Sequence, residues 1–154
     1  MNRRSPAGAA SANPSIADAV LFACLSELEA LKPGNVSVHL PGHGMRAEDF
    51  VHSAQAIAPV LAMPALRVGE RILGAIQATR RVVDCNTNLG IVLLCAPLAH
   101  AAAHAHAGQS LRSALRRTLH RLDVRDAGQC HLAACVVKQI QSFQRLRIGP
   151  LRAR

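Results

Sequence analysis

The sequence predicts an all-α protein, an irregular multi-helix bundle with a central apolar helix, and three observations carry that expectation. Half of the 154 residues are hydrophobic, and most of these are Ala, Leu, Val and Ile. Such residues suit close helix packing, because Ala and Leu lose little on entering a helix. Aromatics are only 2%, with no Trp and no Tyr, whereas a β-protein wants aromatic and β-branched residues at period two. Finally, the apolar residues recur at steps of three and four, the period of a helix face.

Taken in order, residues 1–13 are a small-residue tail expected to be disordered. Ser15 and Asp18 form a plausible capping box, followed by Ile16, Val20, Cys24, Leu28 and Leu31 at helical spacing. Lys32-Pro33-Gly34 should stop that helix, since Pro disfavours the α conformation at the residue before it. A second helix is expected from Arg46-Ala47-Glu48-Asp49, with Phe50, Ala54, Ile57 and Leu61 inward and Pro59 kinking or ending it. A third runs from Val68 to Val83, burying Ile72, Ala75, Ile76, Thr79 and Val83. The fourth, from about Thr87 to His106, is apolar almost all round, so it is placed at the bundle centre, with Gly108 ending it. Ser110 can cap a fifth helix with Leu111, Leu115, Leu119 and Leu122 inside, and about Asp126 to Gln144 can form a sixth.

The formal net charge of +9 is uneven. Residues 1–111 hold eight basic against seven acidic residues, and residues 112–154 hold ten against two. A basic C-terminal face can bind nucleic acid. Aromatic stacking platforms and known nucleic-acid motifs are absent, so nucleic acid is the alternative rather than the leading expectation. Five cysteines, none in CxxC spacing, read as reduced structural thiols of a cytoplasmic protein. No membrane partner is expected: Arg3 and Arg4 precede small residues rather than an apolar run, and Leu89–Ala107 contains Pro97, His100, His104 and His106. There is no P-loop, GxGxxG or GxSxG. His100 and His104 share a helix face at metal-ligand spacing, but alanines surround them, and plain helix packing is the expectation there; no metal ligand is assigned.

Two polar islands interrupt the apolar helices. One is Lys32-Pro33-Gly34-Asn35-Val36-Ser37, continuing to His43-Gly44-Met45; the other is Asn86-Thr87-Asn88-Leu89-Gly90. Each stands at a helix end, where unpaired backbone groups can meet a ligand. The second precedes an apolar helix whose first N–H groups can hold a phosphate, and Gly90 permits close approach. The same stretches also make a good turn and a good N-cap.

In this order the text ELEALKPGNVS (Glu27 to Ser37), GHGM (Gly42 to Met45), EDFVHSA (Glu48 to Ala54) and NTNLGIVLLCAPLA (Asn86 to Ala99) resembles the triphosphoribosyl-dephospho-CoA synthase family, closest to members associated with one-carbon metabolism. The resemblance covers roughly residues 15–127. It implies an all-helical transferase joining 3'-dephospho-CoA to the triphosphoribosyl part of ATP with release of adenine, a step of prosthetic group biosynthesis. The family's Lys-Pro-Gly turn falls on Lys32, Pro33 and Gly34, its His-x-Met element on His43 and Met45, and its Asn-Thr-x-x-Gly element on Asn86, Thr87 and Gly90. Substrate and nucleotide binding is thus expected at Lys32, Pro33, Gly34, Asn35, Ser37, Asn86, Thr87, Asn88 and Gly90. Many members show Asn-Thr-His-Lys-Gly, where this chain has Asn88 and Leu89 and so lacks a lysine for triphosphate.

The implied reaction sets further requirements. Breaking a ribose–adenine bond develops positive charge on the sugar, which a carboxylate stabilises, and the acceptor hydroxyl needs a base. Glu27 and His43 are the expected catalytic pair, and Glu29, Asp49 and Asp84 are the other acids near the islands. The triphosphate calls for Mg²⁺. Family chains continue with a Pro-Gly-Gly-Leu-Gly segment and further helices, which predicts truncation or a change of reading frame near Gly128. The expected organisation is therefore a tail at 1–13, the N-terminal part of a transferase domain at 14–127, and a divergent basic tail at 128–154. The sequence admits a homo-oligomer.

Overall fold

The computed structural model describes residues 14–30 and 45–148, with side chains through residue 139. Among the described residues there are six helices and no β-strand: α1 (Ile16–Glu29), α2 (Ala47–Ala62), α3 (Val68–Val82), α4 (Leu89–Ala103), α5 (Leu111–His120) and α6 (Val124–Ile148).

The helix starts follow from short polar side chains. The Asp18 N–H donates to Ser15 Oγ at 3.1 Å, while Ser15 N–H and Oγ–H donate back to Asp18 Oδ2 at 3.1 and 2.7 Å. These bonds hold the Asp18 carboxyl below its usual value. At α2 and α3 the reciprocal half of the box is acidic: the Arg46 N–H donates to Asp49 at 2.9 Å and the Arg67 N–H to Glu70 at 3.0 Å. At α6, Asp123 Oδ1 accepts the N–H groups of Arg125 and Asp126 at 2.9 and 3.1 Å.

Helix α3 is the hub, packed on α2, α4 and α6. Its Ile72, Ala75 and Ile76 meet Ile57 and Leu61 of α2, Val92 and Ala96 of α4, and Ala133 and Val137 of α6 in one core cluster. The α3–α6 contact needs a glycine: a Cβ on Gly69 would lie 2.7 Å from both Cα and O of Asp126. Helix α6 runs without a break across position 128, where the composition changes.

Four expectations need adjustment. Pro59 does not end α2, which continues to Ala62. Helix α4 stops at Ala103, ahead of Gly108, whose φ of 77° turns the following loop instead. Although α4 touches α1, α2, α3 and α5, Leu94 on its outer side is 69% exposed. Helix α5 turns Ala114 and Thr118 toward α4, so Leu111, Leu119 and Leu122 remain 47%, 48% and 42% exposed. Small side chains win this face because α4 is the main partner of α5 among the described helices, and close approach there needs no bulk.

Candidate functional site

The second polar island is the joint between α3 and α4, and side-chain hydrogen bonds set its shape. Ser53, nearly two turns into α2, donates to the Asp49 carbonyl at 2.6 Å and receives the Thr87 hydroxyl at 2.6 Å. Asn88 turns inward, where its amide donates to Thr79 Oγ1 at 2.9 Å. As the N-cap of α4 it therefore makes no side-chain capping bond; Asn86 Oδ1 accepts the Leu89 N–H at 3.3 Å in its place. Gly90 is exposed, and nothing lies within 4 Å of where its Cβ would be.

Beside this joint the C-terminal end of α3 and the first turn of α2 enclose a cleft of about 410 Å³. Asp49, Arg80, Arg81, Asp84 and Cys85 line it, with Val82 and Val83 as its apolar part. Val82 is shared with a second hollow of about 460 Å³ lined by His52, Gln55 and Ala56. Two guanidinium groups, two carboxylates and an imidazole thus surround one continuous surface at the end of α3. Arg80 reaches Gln139 of α6 at 3.5 Å, and Arg81 makes no hydrogen bond or ion pair among the described residues. Cys85 is no nucleophile here: burial, then the charges of Asp49 and Asp84, push its thiol up to about 11. Burial likewise pushes Cys24 up to about 12, with Cys95 and Glu27 adding to it.

Of the residues expected at the site, Asn86, Thr87, Asn88 and Gly90 fall together on this joint. Glu27 sits half-buried in the last turn of α1, near enough to Cys24 to act on its thiol, and lines neither hollow. Lys32, Pro33, Gly34, Asn35, Ser37 and His43 lie outside the described residues. The chain re-enters at Met45, within two turns of Asp49. The residues sequence reasoning missed are His52, Arg80 and Arg81. A signal existed, since Arg80-Arg81 and Asp84 bracket the end of a helix that runs straight into the second island.

His100 and His104 stack with ring centroids 4.3 Å apart, and His104 Nδ1 lies 2.8 Å from the His100 carbonyl oxygen. Among the described residues no three His, Cys, Asp or Glu side chains converge as a metal site, and no helix is long and apolar enough to cross a membrane.

The family model described as CitG: ATP:dephospho-CoA triphosphoribosyl transferase matches residues 13–147. No curated protein and no solved structure matches the chain. None of these findings supports the nucleic-acid alternative.

Proposed function

Because the chain belongs to the ATP:dephospho-CoA triphosphoribosyl transferase family, we propose that the cleft between the start of α2 and the end of α3 holds the triphosphate of ATP. The family activity is that of a transferase, moving the triphosphoribosyl group of ATP to dephospho-CoA. In that step the bond from ribose C1′ to adenine breaks and a bond from C1′ to the acceptor oxygen forms. The acceptor hydroxyl loses a proton to a base, and the departing adenine gains one.

The observation that carries the proposal is the placement of Arg80, Arg81, Asp49 and Asp84 around one cleft. Guanidinium forks suit phosphate oxygens, and in this chain they replace the lysine that many relatives carry after Asn-Thr. The joint at Asn86–Gly90 adds the exposed Gly90 at the start of α4. A carboxylate on the ribose side stabilises the charge that develops as adenine leaves. Asp49 and Asp84 are the carboxylates that line the cleft, and Glu27 lines neither hollow.

The donor set also fits Mg²⁺. That ion is bound through one or two carboxylates plus substrate phosphates and water, and Asp49 and Asp84 supply two carboxylates in one cleft. When bound, it would neutralise phosphate charge. The arginines bind and orient the triphosphate, while Val82 and Val83 limit water on one side of the cleft.

For the base, His52 is the imidazole at the rim, and His43 belongs to the segment that leads into α2. Replacing each by Gln separates them. The base is the one whose loss removes the low-pH fall of the rate profile. Both substrates are cytoplasmic nucleotides, and a cytoplasmic location belongs to the same proposal. The direct test is adenine release from ATP and Mg²⁺ with dephospho-CoA. Adenine formation dependent on dephospho-CoA is expected, and no adenine above the background of ATP alone would dismiss the reading.

A further inference from the structure

A second charged cluster stands at the opposite end of α3. Arg67 bridges Asp123 and Asp126 at the start of α6, with Nη2 2.7 and 2.8 Å from their carboxylates. Beside this bridge is a cavity of about 190 Å³ lined by Arg67, His100, Thr118, Arg121 and Asp126, with Leu122 as an apolar wall. A water molecule's share of liquid volume is about 30 Å³, so the space exceeds what one trapped water needs.

Two buried guanidinium nitrogens at this end of α3 are unsatisfied, one of them on Arg67, which lines the cavity. Arg67 Nε is buried with no hydrogen-bond partner. One turn along α3, Arg71 is wholly buried; it donates to the carbonyls of Leu61 and Leu66, and its Nη2 has no partner. Both orphaned atoms are donors, so what would satisfy them is an acceptor. Asp126 offers little to a newcomer, because it already accepts from Arg67 Nη2 and from the Gly69 N–H at 2.9 Å. Charge argues the same way. Asp123 and Asp126 offset two of the three guanidinium groups of Arg67, Arg71 and Arg121. Arg71 itself bonds only to carbonyls, and a buried charge without a counter-ion is costly.

We propose that this cavity is a phosphate-group binding site, separate from the cleft at the far end of α3, with Arg67 Nε, Arg121 and the Thr118 hydroxyl as its donors. The two ends of α3 are about 20 Å apart at a rise of about 1.5 Å per residue, too far for one phosphate group to touch both. A tetrahedral oxyanion suits donors arriving from three elements, α3, α5 and the turn after α5, better than a planar carboxylate does. The group can be free orthophosphate or the phosphate of a nucleotide.

His100 reports on occupancy. Burial, then His104, Arg71 and Arg67, lower its pKa, with Asp126 acting in the opposite direction. An anion in the cavity offsets the arginines and raises it.

The experiment titrates the full chain with sodium phosphate by calorimetry at pH 7.5. One saturable site is expected, weakened at least about tenfold by Arg121→Met and unchanged in the double variant Arg80→Met/Arg81→Met. In parallel, the His100 ring is titrated by NMR in sulfate and in chloride at equal ionic strength, and an upward shift in sulfate alone is expected. Competition by ATP in the Arg80→Met/Arg81→Met variant would identify a nucleotide phosphate as the ligand; no competition would identify the free oxyanion. The proposal is overturned by absence of saturable binding, by binding that survives Arg121→Met but not the double variant, or by equal His100 shifts in the two salts.

Discussion

The two ends of α3 carry similar charges and use them differently. At the N-terminal end Arg67, Asp123 and Asp126 form short ion pairs, Glu70 pairs with Arg125 at 3.3 Å, and a glycine brings α6 to the helix backbone. At the C-terminal end Arg80, Arg81, Asp49 and Asp84 line a cleft about twice as large, where Asp49 accepts the Arg46 N–H and Arg80 reaches Gln139. The Arg67 Nη2 ion pairs hold α6 to α3, whereas guanidinium groups that line a hollow, Arg80 and Arg81 at one end and Arg121 at the other, can meet a ligand. The comparison predicts that changes at the ion-paired carboxylates of the first end act on stability and changes at Arg80 and Arg81 act on ATP.

The largest stability effect is expected at Asp126. Asp126→Ala removes the acceptor for the Gly69 N–H and one of the two partners of Arg67, a loss of about 3 kcal/mol that urea denaturation would read. The same residue should leave a pH signature. Burial raises its carboxyl pKa, but the bonds from Arg67, Gly69 and Asp123 outweigh that and hold it below the ordinary aspartate value of 3.8. A depressed folded-state pKa gives stability that is present above 3.8 and lost as pH falls through the lower folded value. Asp126→Asn should flatten this acid limb in a comparison of melting temperatures from pH 5 down to pH 2.

Next comes Gly69→Ala. Alanine in a helix normally gains up to about 1 kcal/mol over glycine, but here its Cβ meets backbone that cannot swing away. The clash should win, with a net loss of about 2 kcal/mol by the same denaturation. The smallest effect belongs to the open end. Ser53→Ala removes the partner of the Thr87 hydroxyl, so we expect about 1 kcal/mol of lost stability and a few-fold drop in adenine release.

Most helices were legible because their apolar stripes coincide with burial. Val20, Cys24 and Leu28 of α1, and Ile72, Ala75, Ile76, Thr79 and Val83 at α3, are inside as their spacing predicts. The capping box at Ser15 and Asp18 was equally plain, being a contact between residues three apart. Helix α5 was misjudged because its leucines outrank Ala114 and Thr118 in hydrophobicity, while the geometry of the α4 contact favours small residues. The candidate site's polar joint, Asn86 to Gly90, was legible as an interruption of an apolar chain. Its arginines were not, since a basic last turn is ordinary at a helix C-terminus, and only the fold sets Arg80 and Arg81 across from Asp49.

Calorimetric titration with ATP and Mg²⁺, on the intact chain and on Arg80→Met/Arg81→Met, bears most directly on where the triphosphate sits. We predict that the double variant keeps its melting temperature and binds ATP at least about tenfold more weakly, while Asp126→Ala melts earlier and binds ATP as the parent does when folded. Equal ATP affinity in the parent and the arginine variant would contradict the assignment of the cleft.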